Sequence, residues 1–320
     1  MNPGPGGQPL VTGAAGFAGS HLLDRLRQSS ERVFAWSNPA SRREHHAPGV
    51  QWDSVDLVDL PSMERALLAS RPSFIFHCAG IPQVAESWSQ ADLALRVNAF
   101  GTYLLLEAVR RSRLNCPVLV VSSALVYRPS GDPLREQDPL VPRDPYGVSK
   151  LAQEMVGMRA STPVLIARPF NHAGPRQPSS FVTSSFARQI AEIEARMAEP
   201  VLRVGNLDAR RDVTDVRDIV RGYLALAASG RVQVPYNLCS GKAYRVGELL
   251  EILLKMSRVQ VRVELDPARL RPSDNPLVQG DVSRIAAATG WRAEIPIERT
   301  LSDLLEWWRA QLATNGGRSQ

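Results

Sequence analysis

The sequence predicts an α/β protein: a Rossmann-type, doubly wound parallel sheet with a smaller C-terminal α/β lobe. Three observations carry that expectation. Short aliphatic runs alternate with helix-periodic segments, a glycine triplet lies where the first run meets the first helix, and the alternation loosens after about Arg168. The runs at residues 9–12, 32–36, 74–78, 118–122 and 164–167 have the length and composition of buried strands. Pro9, inside the first of them, lacks an amide donor, so that strand is expected to start frayed or edge-like. Ala18, Leu22 and Leu26 recur at steps of four, and Leu93, Val97, Phe100, Leu104 and Ala108 at steps of three and four. Each pattern predicts a helix with one apolar face. Residues 1–168, with a return at about 212–240, are expected to form the larger unit, and residues 169–320 mainly the smaller lobe. In that lobe Pro169, Pro175 and Pro178 precede an amphipathic helix at 186–193. An alternating strand is expected at Val259, Val261, Val263 and Leu265, a core-packing stripe at Leu301, Leu304, Leu305 and Trp308, and fraying after Leu312.

Composition narrows the function classes. With 44% hydrophobic and 22% charged residues in 320, and no apolar run near the roughly 18 residues of a span, no membrane helix is expected. The net charge of +6 comes from scattered arginines, with Lys150, Lys242 and Lys255 as the lysines; without a basic block, no nucleic-acid partner is expected. Cys78, Cys116 and Cys239 are odd in number and widely spaced, which predicts buried reduced thiols. The adjacent His45 and His46 lack further spaced ligands, so no metal is expected, and His172 reads as a structural polar residue. Residues 1–8 have neither a basic start nor an apolar run, so no targeting peptide is expected and the cytoplasm is the expected compartment.

The segment 10–19 holds Gly13, Gly16 and Gly19 in a T-G-x-x-G-x-x-G turn, with Phe17 and Ala18 inside it. Placed between a strand and a helix, such a turn brings backbone amides and a helix N-terminus to a pyrophosphate, which predicts a dinucleotide site. The next strand ends at Ser37, where an NAD-selecting site would carry an acid for the ribose hydroxyls. Ser37, Arg42 and Arg43 could instead accept a 2′-phosphate, so NADP is the expected cofactor, with NAD as the alternative. Asp56 and Leu57 could meet the adenine edge, and Asp56 reads equally well as a turn residue.

Tyr146 and Lys150 stand four residues apart, one turn of a helix. An ammonium beside a phenol favours the phenolate, so the tyrosine is expected to titrate nearer neutrality than its usual pKa of about 10. Ser123, at the end of a strand, would orient the reacting oxygen.

These residues together resemble the extended short-chain dehydrogenase/reductase family, over about residues 8–312. The resemblance implies that Ser123, Tyr146 and Lys150 form the catalytic set, with Ser123 also meeting the substrate and Tyr146 and Lys150 the cofactor, that Asn98 supports the lysine through water, and that Cys78, Ala79 and Gly80 after His77 line the cofactor. Relatives that eliminate water carry an acid two positions after the catalytic serine; Leu125 stands there, preceded by Ala124. A 4,6-dehydratase is therefore disfavoured, and a 4-ketosugar reductase or a C4-epimerase with tightly held NAD remains. A non-catalytic dinucleotide sensor is a weaker alternative, because such relatives commonly lack the tyrosine or lysine.

Residues 168–174, 204–218 and 271–277 resemble the GDP-sugar branch, especially the reductases of GDP-4-keto-6-deoxyhexoses. By that likeness Asn171, Arg211 and Arg271 hold the diphosphate, Asp274 meets a ribose hydroxyl, and Phe181 and Val182 either wall the base pocket or belong to the core. Arg210 reads as a solvated neighbour, and Asp215 and Asp218 as a helix N-cap and first turn. Arg128 stands where the family commonly has glycine, so residues 129–145, over the sugar, are expected to follow an altered path. The resemblance also implies a homodimer, or a tetramer, through the helices starting near Ala91 and Tyr146.

Overall fold

The computed structural model describes residues 7–30, 32–40, 48–82, 84–270 and 275–316. Its elements run β1 (Leu10–Thr12), α1 (Phe17–Leu26), β2 (Val33–Ser37), β3 (Val50–Ser54), α2 (Leu60–Ser70), β4 (Ile75–His77), α3 (Val84–Ser89) and α4 (Ala91–Ala94). A π-helical turn, Leu95–Phe100, leads into α5 (Gly101–Arg111), followed by β5 (Val118–Val121), α6 (Pro145–Arg159), β6 (Val164–Pro169) and β7 (Asn171–Ala173). Then come α7 (Val182–Glu194), β8 (Val201–Val204), β9 (Arg210–Asp215), α8 (Val216–Ser229), β10 (Pro235–Leu238), β11 (Ala243–Arg245) and α9 (Val246–Lys255). The last are β12 (Arg262–Leu265), β13 (Leu277–Val278), α10 (Ser283–Thr289) and α11 (Ile297–Gly316).

Seven strands in the order β10-β6-β5-β4-β1-β2-β3 form the main sheet, and every pairing in it is parallel. The path reverses at β1, which lies between β2 and β4. Crossovers leave this point in opposite directions and open a crevice beyond the carboxyl ends of the strands. Strand pleating sends alternate rows to opposite faces. Leu10, Phe34, Ile75, Val118 and Val164 share one row and pack with Met63 and Leu67 of α2 and Leu105 of α5. Val11, Ala35, Phe76, Leu119 and Leu165 share the other and pack with Leu22 and Leu26 of α1 and Ile219 and Leu226 of α8.

A second set of elements holds β9 between antiparallel β11 and parallel β13, with β7 also paired to β9, and a separate β8–β12 pair. Its core joins Phe186 and Ile190 of α7, Leu249 and Leu253 of α9, and Leu301, Leu304 and Leu305 of α11. Asp215 caps α8 by accepting from the Arg217 amide at 2.8 Å, and Asp218 in the first turn accepts from the Glu294 and Ile295 amides at 2.9 Å.

Some expectations need correction. The stripe from Leu93 to Ala108 is not one buried face: Leu93 and Phe100 are exposed, while Leu104 and Ala108 are buried. The π-turn inserts an extra residue and breaks the phase of the pattern there. The strand at Val259–Leu265 begins at Arg262, and Val263 and Leu265 are exposed rather than core-facing. Pro9 precedes β1 instead of lying in it, and α11 continues past Leu312 to Gly316. Among the described residues no helix is long and apolar enough to cross a membrane, and no cluster of His, Cys, Asp or Glu could hold a metal. His45 and His46 lie outside the described residues.

Candidate active site

The loops after β1, β2, β4, β5 and β6 converge on the carboxyl edge of the sheet. Gly13 takes φ +66°, and a Cβ there would lie 2.7 Å from the Ala79 Cα and amide nitrogen, so the turn after β1 closes directly onto the turn after β4. Gly16 is the N-cap of α1, and its own amide donates to the Gly13 carbonyl at 2.9 Å. The first amides of α1 therefore face the crevice without a side-chain cap, as an anion site requires. Phe17 stacks on His172 with ring centroids 5.5 Å apart, joining this loop to β7. Gly19 and Ala18 lie in the first turn of α1.

Ser37 ends β2, and no carboxylate replaces it. Asp56 accepts from the Val58 amide at 3.0 Å, the turn role of its two readings, and Leu57 is buried. Cys78 is half-buried rather than buried, and its enclosed sulfur titrates high, pushed up to about 12 by burial, so it stays a neutral thiol. Cys116 and Cys239 are free and buried. Arg42 and Arg43 lie outside the described residues.

Asp144 starts α6 by accepting from the Gly147 amide at 2.7 Å with Pro145 at the first helical position, which places Tyr146 at the mouth of the crevice and Lys150 one turn deeper. Tyr146 shares a side-chain hydrogen bond with Ser123. Ser123 also accepts from the Leu125 amide at 3.2 Å, which fixes its rotamer. Lys150 is buried and its Nζ donates to the Val121 carbonyl at 2.7 Å. A Cβ on Gly80 would lie 2.6 Å from Asn98 Oδ1 and 3.8 Å from Lys150 Nζ, so this close approach admits only glycine. Asn98 Oδ1 accepts from the Ile81 amide at 2.8 Å, and its Nδ2 donates to Ser149 Oγ at 2.9 Å.

The expected lowering of the Tyr146 pKa does not appear. Burial pushes the phenol up to about 12, and the Ser123 hydrogen bond only partly opposes it; burial likewise pulls Lys150 down to about 8. Lys150 is buried and Tyr146 half-buried, so loss of hydration outweighs the pairing that their spacing suggested. The phenol is thus favoured over the phenolate.

On the other side of the crevice, Asn171 opens β7 opposite Val213 of β9, and Arg211 lies two residues earlier on β9. Arg211 donates to the carbonyls of Arg210 (2.9 Å) and Asn275 (2.7 Å); Arg271 and Asp274 lie outside the described residues. Arg210 is exposed, and Val182, at the start of α7, is 41% exposed. A cavity of about 550 Å³ opens between the β8–β9 turn (Gly205, Asn206, Leu207) and Val263, Leu265 and Leu270. Residue patterns missed this groove, because its apolar walls read as a strand facing the core. They also missed a buried pair: Arg168 on β6 donates to Glu154 on α6 through Nε (2.9 Å) and Nη2 (2.7 Å), with Ser122 on the same carboxylate.

A parallel sheet with its switch point at β1, a glycine turn there, and Ser, Tyr and Lys gathered at the same edge define an NAD(P)-dependent oxidoreductase of the extended short-chain dehydrogenase/reductase class. The chain belongs to the GDP-mannose 4,6 dehydratase family, whose model matches residues 10–304. It is 34% identical over 312 residues to a GDP-6-deoxy-D-mannose reductase of Pseudomonas aeruginosa, covering 95% of this chain and 97% of that protein. The structure of RMD from Pseudomonas aeruginosa complexed with NADPH superposes with a TM-score of 0.84 at 33% identity, over 95% of this chain and 99% of that one. A UDP-glucose 4-epimerase of Thermus thermophilus in complex with NAD gives 0.84 at 26% identity, over 94% and 99%.

Proposed function

We propose that this protein reduces the C4 ketone of a GDP-4-keto-6-deoxyhexose with NADPH, taking GDP-4-keto-6-deoxy-D-mannose to GDP-D-rhamnose or its C4 epimer. The observation that carries the reading is a Ser123–Tyr146–Lys150 set followed by Ala124 and Leu125: one proton can be delivered to a new alkoxide, and no carboxylate follows Ser123 to assist elimination. The bound dinucleotide supplies the hydride. Ser123 orients the ketone oxygen, and Tyr146, kept protonated by burial, gives it the proton. Gly13, Gly16, Phe17, Ala18 and Gly19 would cradle the pyrophosphate, with Cys78, Ala79 and Gly80 beneath the ring. Asn171 and Arg211, with Arg271 and Asp274, would hold the GDP, and the groove beside Val263 and Leu265 would take its nucleoside. Residues 1–168 thus serve the cofactor and 169–320 mainly the sugar nucleotide, in a cytoplasmic enzyme. The name of the Pseudomonas aeruginosa relative supports the substrate class, and the NADPH in the solved structure supports the cofactor.

The test is consumption of NADPH and of NADH with freshly generated GDP-4-keto-6-deoxymannose, followed by identification of the product sugar. Rapid NADPH oxidation is expected; no turnover, with NAD retained by the isolated protein, would replace the reductase by a C4-epimerase. Replacing Ser37 by Asp should repel a 2′-phosphate and reverse the preference toward NADH by tenfold or more, about the 1.4 kcal/mol of a modest charge interaction. An unchanged ratio would remove this position from cofactor selection. The Lys150 ammonium exists below its pKa of about 8 and is lost above it, so turnover should fall as pH rises through that value. A profile flat across it would show that the charge is not needed.

The homodimer is proposed to form across α5, the π-turn and α6, which pack together and expose Leu95, Phe100, Tyr103, Val148 and Met155. Phe100 and Met155 are 49% and 63% exposed, and Glu at both should give monomers by sedimentation. A dimer that survives the double change would place the interface elsewhere, and a tetramer in the parent protein would add a second one.

A further inference from the structure

His77 closes β4 and is fully buried. Its Nδ1 lies 2.8 Å from Thr12 Oγ1 and its Nε2 2.9 Å from Thr102 Oγ1. A neutral imidazole has one donor and one acceptor nitrogen, and the neighbours decide which is which. Thr102 gives its hydroxyl proton to the Asn98 carbonyl at 2.7 Å, and accepts from Gln153 Nε2 at 2.8 Å. With that proton committed, Thr102 can only accept from the ring, so His77 carries its hydrogen on Nε2. Nδ1 is then an acceptor for the Thr12 hydroxyl, whose oxygen in turn accepts from the Ala79 amide at 3.3 Å. The result is a directed chain with every hydrogen assigned, from the Ala79 amide through Thr12, His77 and Thr102 to the Asn98 carbonyl. A charged ring would present a second N–H toward Thr12 and break it. Burial, aided by the Lys150 ammonium, pushes the His77 pKa down to about 3, so the ring stays neutral.

The two ends of this chain matter differently. Thr12 precedes Gly13, which packs directly on Ala79. Asn98 grips Ile81 and Ser149, and Ser149 precedes Lys150. We propose that His77 is a positioning residue whose Nε2–H tautomer ties the dinucleotide loop to the π-turn behind Lys150, with its two ring nitrogens serving separable tasks. Nδ1 sets the cofactor loop, and Nε2 sets Asn98 and, through Ser149, the lysine. This rests on the reading of those two ends given under the proposed function.

Two substitutions divide the ring. The amide of His77→Asn reaches only the Nδ1 position and keeps an acceptor for Thr12. The amide of His77→Gln reaches the Nε2 position and keeps a donor for Thr102. The expected result is a split of about tenfold, what one buried hydrogen bond left unmade is worth. His77→Gln should weaken NADPH binding, measured by tryptophan fluorescence titration, with kcat nearly kept; His77→Asn should lower kcat with NADPH binding nearly kept. Both parameters moving together in both variants would overturn the proposal and leave His77 as packing. Nitrogen-15 NMR of the parent protein should find the His77 proton on Nε2 at neutral pH; a proton on Nδ1, or on both nitrogens, would overturn it even if neither variant folds. If the parent protein does not turn over the ketosugar, the reductase reading fails, while the tautomer and NADPH titration still decide this one.

Discussion

Replacing Tyr146 by phenylalanine is expected to cut turnover by about 10²–10⁴-fold, the usual worth of a positioned proton donor. NADPH affinity should stay largely unchanged, because the cradle proposed for the pyrophosphate lies at α1 rather than on α6. Removal of the hydroxyl leaves the ring in place and deletes the one group whose pKa and hydrogen bond to Ser123 suit it to protonate an alkoxide. Stopped-flow oxidation of NADPH under single-turnover conditions separates the chemical step from product release. A fall in kcat of less than about tenfold would mean that water or another group carries the proton, since general acid catalysis by a side chain contributes more than that. The direction of the pKa shift matters here. Burial raises the phenol's pKa, which keeps its proton available to a new alkoxide.

The second large effect is expected at Glu154. Its carboxylate and the Arg168 guanidinium are each only 4% exposed and pair through two hydrogen bonds, and Arg168 also donates to Tyr127 Oη at 2.9 Å and to the Glu136 carbonyl at 3.2 Å. Glu154→Ala leaves a buried guanidinium without its anion, at a cost of about 3–5 kcal/mol. For a chain of this size that is a fall in melting temperature of roughly 10 °C. The pair joins α6 to β6 and accepts from Ser122 beside Ser123, so turnover should suffer in what remains folded. Replacing both members by methionine should recover much of the stability, because the burial cost disappears with the charges. A single Arg110→Ala change, which breaks an exposed pair with Glu107, should leave the melting temperature unmoved. If Glu154→Ala melts like the parent protein, the buried pair is not what holds α6 to β6.

Much of this was legible in the residues themselves. The main-sheet strands expected at 9–12, 32–36, 74–78, 118–122 and 164–167 lie at or near those positions. A buried parallel strand announces itself by a short apolar run whatever it pairs with. The glycine triplet and the Tyr146–Lys150 spacing were equally plain, since each is a local geometry: a left-handed φ at Gly13, and one helical turn on α6. Asp215 and Asp218 also behave as a cap and a first turn, because capping is settled within a few residues.

What was not legible depended on partners far along the chain. The Leu93–Ala108 pattern counted residues correctly but could not register the π-turn, which tertiary packing against α6 accompanies. Val263 and Leu265 alternate as a core strand would, yet they face a groove that exists only because β12 pairs with β8. The proton on His77 is set by Thr12 and Thr102, 65 and 25 residues away. By themselves the residues announced most strands of the main sheet, the glycine turn after the first of them and the one-turn spacing of Tyr146 and Lys150, because these follow from backbone geometry over a few residues. Tertiary structure decided that Tyr146 is held protonated and that Lys150 titrates near 8. It did so through desolvation, which depends on everything packed around a group and on nothing in its local spacing.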